Sequence, residues 1–207
     1  MFGLLFGLPQ YFQAVQGHDP LGSGYRLLSL IGGLMIGLAL ATALAKKLGS
    51  KVLVALGFGL MASGLILGTQ TAINSSDAFL IAWVGLTGLG LGFVTPSTAN
   101  AALGALSPER SSSGSALMTA IRQVGSTLGV AVLGTVLGST YRAQLHITQL
   151  PDQLATAVRS SVVGGTAVAR QLKSAELLRT VQAAFVYGLS QMLWICAGIA
   201  LVAACLP

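Results

Sequence analysis

Side chains able to do chemistry are sparse in this chain: two histidines, two cysteines and five carboxylates among 207 residues. His18 and His146 stand alone and far apart. Cys196 and Cys205 share one apolar run with no second pair at metal-ligand spacing, so they read as packing thiols. No metal or cofactor site is expected. Asp19, Asp77, Glu109, Asp152 and Glu176 all fall in polar connections. A carboxylate relay deep in an apolar segment is therefore not encoded here. Two arginines are the exceptions. Arg26 opens an apolar run, close enough to its end to snorkel, and Arg122 lies two turns inside another, followed by Gln123. A cation at that depth points to a paired or cavity-facing role.

The uncharged polar residues inside apolar runs are Gln10 and Gln13, the stretch Thr95 to Asn100, and Tyr187 with Gln191. Singly, each reads as an interhelical hydrogen bond, a contribution of about 0.6 kcal/mol; as a set, they suggest a cavity. Pro96 removes a backbone donor and should bend its helix. Enzyme motifs fail in context. Gly88-Leu89-Gly90-Leu91-Gly92 sits inside an apolar run without the following strand and acid of a dinucleotide site. No Gly-x-Ser-x-Gly elbow surrounds Ser23, Ser63 or Ser115. An enzyme is not expected.

Long apolar elements must position these residues. Hydrophobic residues make up 54% of the chain and charged ones 8%, at a mean hydropathy of +0.80, against about 25% charge in soluble domains. The expected fold class is an all-α membrane protein. Six apolar runs are read at residues 1–15, 27–45, 52–73, 78–105, 115–141 and 181–206. Each full span needs about 20 residues. The first run reaches only about 22 Å at 1.5 Å per residue, so it is re-entrant or its beginning is missing. No cleavable signal is read at the start.

The 11 Lys and Arg against 5 Asp and Glu give +6, and these cations lie between apolar runs, as membrane topology uses them, which argues against nucleic acid. Short connections are read at Gly17 to Pro20, Lys46 to Lys51, Asn74 to Asp77 and Ser107 to Ser113. Residues 142–180 read as a solvated loop with some helix, broken at Gly164-Gly165, in which Leu154, Val158 and Val162 mark an amphipathic stretch. Charge counting leaves orientation open. Of 27 glycines, several lie four apart inside the runs: Gly33 and Gly37, Gly64 and Gly68, Gly88 and Gly92, Gly125 and Gly129, Gly134 and Gly138. Such spacing lets helix backbones approach in lipid, and a tightly packed bundle is expected to use it.

The stretch Ser107-Pro108-Glu109-Arg110, Gly114 to Leu117 and Arg122 to Thr135 resembles the penultimate helix of the major facilitator superfamily, more narrowly the 14-spanning drug:proton antiporters of the EmrB/QacA type. Tyr11-Phe12-Gln13 with Gly17 to Leu21 and Gly24 to Leu28 is similar to another family segment. Lys47-Leu48-Gly49-Ser50-Lys51 is similar to its basic cytoplasmic loop, and Gly85 to Gly92 with Pro96 to its glycine-rich helix. Lys46, Thr42, Ser29 and Ser112 depart from the family pattern.

The resemblance implies that residues 1–207 are one domain, the C-terminal six-helix half of a major facilitator fold, with 142–180 extracytoplasmic. It implies a multi-pass bacterial inner-membrane protein that exports drugs or amphipathic molecules in exchange for protons, working with an N-terminal transporter half or with a second copy of itself. Gln10, Asn100, Arg122 and Gln123 would line the substrate cavity, Lys47, Gly49 and Lys51 would form the cytoplasmic gate, and Gly125, Gly129 and Gly134 would pack helices. The alternative is an inactive truncated fragment or a non-transporting membrane scaffold.

Overall fold

The computed structural model describes residues 2–104, 111–145, 147 and 150–205, with side chains described for all of these but 2, 46, 97–104, 111 and 112. The described residues are helical, without strands. Chain order runs α1 (Phe2–Gln10), a π-helical turn (Tyr11–Val15), α2 (Pro20–Gly68), α3 (Asp77–Gly104), α4 (Ser111–Gln144), α5 (Asp152–Ser160), α6 (Val162–Gln171) and α7 (Ala175–Ala204). Among the described residues five segments are long and apolar enough to cross a membrane: Pro20–Ala45, Lys47–Gly68, Asp77–Pro96, Ser113–Gln144 and Ala175–Ala204. With the relatives reported below, they make this a multi-pass membrane protein. The helix that opens the chain falls short of a span, as its sequence implies.

α2 starts at Pro20, seven residues ahead of the apolar run expected there. Pro20 presets the first helical φ, and the Asp19 carboxylate accepts from Gly22 N at 2.9 Å as the N-cap. The loop expected at Lys46 to Lys51 shrinks to one residue. Gly49, at φ 74° and ψ 161°, breaks an otherwise continuous 49-residue helix into two arms. That backbone region is nearly exclusive to glycine.

α3 lies between the two arms. It runs parallel to the first, so that a Cβ at Gly33 or Gly37 would strike the Gly85 and Leu89 carbonyls, and one at Gly88 or Gly92 the Leu30 and Leu34 carbonyls. It runs antiparallel to the second. There a Cβ at Gly57 would meet Gly90 O at 2.9 Å and one at Gly68 would meet the Trp83 ring at 2.9 Å. Each glycine costs about 1 kcal/mol of helix propensity against alanine, which close backbone packing offsets. The core spreads from this sandwich to α1 and α7 through Leu8, Tyr11, Trp83, Phe185, Met192 and Leu193.

On α4 the same spacing meets no close partner among the described residues. Gly125 and Gly129 have no atom within 4 Å of an added Cβ, and Gly134 meets only the Phe6 ring at 3.7 Å. Among the described residues these three have no helix packed closely against them, and the first buried residue described on α4 is Leu133.

Residues 142–180 are also more ordered than a solvated loop. α5 and α6 form two short helices whose Val158, Val162 and Ala169 are buried. The chain bends at Ser161, not at Gly164-Gly165. Ser161 is extended and its Oγ accepts from Gly164 N at 3.0 Å to cap α6. Gly165 is small for another reason: a Cβ there would press on the Tyr141 hydroxyl and Val181, both at 2.8 Å. α7 begins at Ala175, capped by Ser174, six residues before the expected 181.

Candidate functional site

A polar clasp closes the end of the bundle where α1 finishes and α3 begins. Arg26 donates from Nε to Asp77 Oδ1 at 3.0 Å and from its second nitrogen to Oδ2, and Nη1 reaches the Gly22 carbonyl at 3.0 Å. His18 Nε2 sits 4.0 Å from the same carboxylate. Arg26 is thus a paired residue at a helix end, and its side chain is 16% exposed against 52% for Asp77. The neighbouring bonds join three elements. Tyr11 Oη donates to Ala72 O at 2.6 Å, Gln16 Nε2 to Ser75 O at 3.1 Å and Gln182 Nε2 to Val15 O at 2.8 Å.

Of the residues expected to line a substrate cavity, Gln10 stands apart from Arg122 and Gln123 among the described residues. Gln10 donates to Phe6 O in its own helix and borders a recess of about 250 Å³ with Tyr141, Arg142, Ser160 and Ser161. Arg142 folds back along α4, its Nη1 3.9 Å from where a Cβ on Gly138 would stand. Arg122 and Gln123 are exposed, 12 and 11 residues along α4 from Gly134 of that recess, about 16–18 Å at helical rise. The side chain of Asn100 lies outside the described residues, as do Ser107 to Arg110. Lys47 and Lys51 flank the Gly49 break and are exposed, with open space around Gly49.

Within the bundle the structure shows a cavity that polar residues could not signal. It holds about 150 Å³ among α1, both arms of α2, α3, α4 and α7, and its lining is apolar apart from Thr87 and Cys196. The Thr87 hydroxyl already donates to Trp83 O at 2.9 Å. The sequence signal was the pair of small residues Cys196 and Ala200, one turn apart on α7. Both cysteines are free thiols. Among the described residues no group of three His, Cys, Asp or Glu is placed to hold a metal ion.

The uncovered part of α4 is the other feature. Leu117, Ile121, Val124, Leu128 and Val132 recur three or four apart and are 57–65% exposed. Nothing described in this chain covers them.

No family model matches the chain. It is similar to the multidrug resistance protein Stp of Mycobacterium tuberculosis, 28% identical over 166 residues, covering 79% of this chain and 31% of that protein. It is similar to the multidrug efflux pump LfrA of Mycolicibacterium smegmatis, 29% identical over 212 residues, covering 99% of this chain and 41% of the pump. A tetracenomycin C resistance and export protein of Streptomyces glaucescens is 27% identical over 213 residues, covering 98% of this chain and 40% of that protein. The chain thus spans between 31 and 41% of the length of these relatives.

Proposed function

We propose that this chain supplies the C-terminal six-helix half of a major facilitator drug:proton antiporter of the 14-spanning type, exporting apolar or amphipathic small molecules across a bacterial inner membrane. The observation that carries the reading is α4. The stretch from Arg122 to Thr135, where the family resemblance is most specific, belongs largely to the face that this chain leaves uncovered. A transporter of this kind binds substrate near the bilayer midplane between two repeats, so one half offers a single wall. Similarity across nearly the whole chain to proteins named as efflux pumps and export proteins supports the substrate class.

In this reading the first half of α4 faces the N-terminal half across the substrate path. Arg122 and Gln123 stand near the cytoplasmic end of that path and Lys47, Gly49 and Lys51 at the gate. The α5–α6 pair lies on the extracytoplasmic side. Every described carboxylate sits at a helix end or in a connection, so the proton-coupling acid belongs to the partner half.

Drug susceptibility of an efflux-deficient host tests the reading, with membrane insertion verified. Resistance should appear when the chain is expressed with a matching upstream half and not with the chain alone. Resistance from the chain alone would mean that two copies pair. Susceptibility in both cases, across a broad panel of cationic and neutral drugs, would favour a non-transporting scaffold.

A further inference from the structure

The roughly 150 Å³ cavity among α1, α2, α3, α4 and α7 has the size and chemistry of a ligand site. We propose that it binds an uncharged, ring-sized apolar molecule drawn directly from the lipid phase. The inference does not depend on the transport reading, because this chain forms the whole cavity without a partner half.

Size and lining decide the ligand class. An apolar cavity of about 150 Å³ stays dry and accepts benzene, because a water molecule there lacks the two to four polar partners it needs. The walls here are Leu4, Leu30, Leu65 and Leu133 with Phe58 and Met61. The Thr87 hydroxyl, already spent on Trp83 O, offers little to water. Among the described residues no charged side chain lines the space, so a cation or anion would enter without compensation, at a prohibitive desolvation cost. The volume suits one ring and not the length of an acyl chain. Met61 adds an adaptable wall, since its thioether side chain repacks at small cost.

Access is built into the helix packing. Ser190 Oγ donates to Thr69 O at 3.1 Å and pins α7 to the second arm of α2. Six to ten residues farther along α7, roughly 9–15 Å away, Cys196 and Ala200 line the cavity together with Phe58 and Met61. Ile199, which also lines it, is 63% exposed. The proposed entry passes Ile199, on the exposed side of the membrane-spanning helix α7.

Photolabelling tests this directly. The full chain in lipid nanodiscs is irradiated with a phenyl diazirine that partitions into the bilayer, and labelled residues are mapped by mass spectrometry. Lipid-facing residues such as Leu28, Ile31 and Ile36, 53–57% exposed, should label in any case. Leu4, Leu30 and Leu65, each 2% exposed, are out of reach from the lipid and label only if the ring enters the cavity. We expect label on these three leucines, its loss on addition of excess toluene, and its loss in Ala200→Leu, whose larger side chain fills the space, with lipid-facing label retained. Toluene competition on the native chain keeps the test valid should the variant not fold. Label confined to lipid-facing positions would overturn the site and point to a closed or acyl-filled cavity. Label on the leucines that toluene does not compete would overturn it as well.

Discussion

At the scale of single residues, two positions do structural work that their neighbours cannot. Gly49 holds φ 74° and ψ 161° with nothing near a would-be Cβ, so its requirement is conformational and not steric. Gly49→Ala should cost about 1–3 kcal/mol, read as a lower melting temperature in detergent; an unchanged melting temperature would show that the break relaxes. Arg26 and Asp77 form the clasp ion pair. Because the carboxylate is half exposed, a double-mutant cycle of Arg26→Gln with Asp77→Asn should give a coupling below about 1 kcal/mol. A coupling of several kcal/mol would mean that the pair is far drier than its exposure indicates. Arg26 is visible in the sequence as a cation at the start of an apolar run. Its partner is not, since 51 residues separate the two and only the parallel packing of the first α2 arm on α3 brings them together.

At the scale of elements, apolar run lengths give the five spans and the short α1, while glycine spacing gives candidate contacts without saying which are used. Gly37 meets Gly92, Gly33 meets Gly85 and Gly88 meets Leu30, because α3 is held between both arms of α2. Gly125 and Gly129 carry the same spacing and meet nothing, because spacing records a possible approach and not the presence of a second helix. Gly88→Leu should therefore collapse folded yield in detergent, and Gly129→Leu should leave the melting of this chain unchanged. Equal effects at both sites would mean that the α4 face packs against the bundle in solution. The α5–α6 pair was legible only as the apolar set Leu154, Val158 and Val162. Its bend at Ser161 depends on a cap hydrogen bond that hydropathy does not register. The apolar cavity has Thr87 as its one polar hydroxyl among the lining residues described, and small Cys196 and Ala200 on α7 line it beside larger Phe58 and Met61.

At the scale of the whole molecule, the five spans and short opening helix of the described residues leave a long apolar face on α4 that no described residue covers. Of the substrate-cavity residues expected to converge, Gln10 borders a recess whose nearest α4 residue, Gly134, lies about 16–18 Å along that helix from Gln123 and Arg122. Convergence on one transport path thus needs a second wall. The most direct measurement is transport of a fluorescent drug into everted membrane vesicles. The vesicles would contain this chain, the matching upstream half, or both, with and without an imposed proton gradient. Gradient-dependent accumulation when both are present, abolished by a protonophore and absent with either alone, is the predicted result. No accumulation with both halves inserted, across drugs of the classes to which the host is sensitive, would contradict the account.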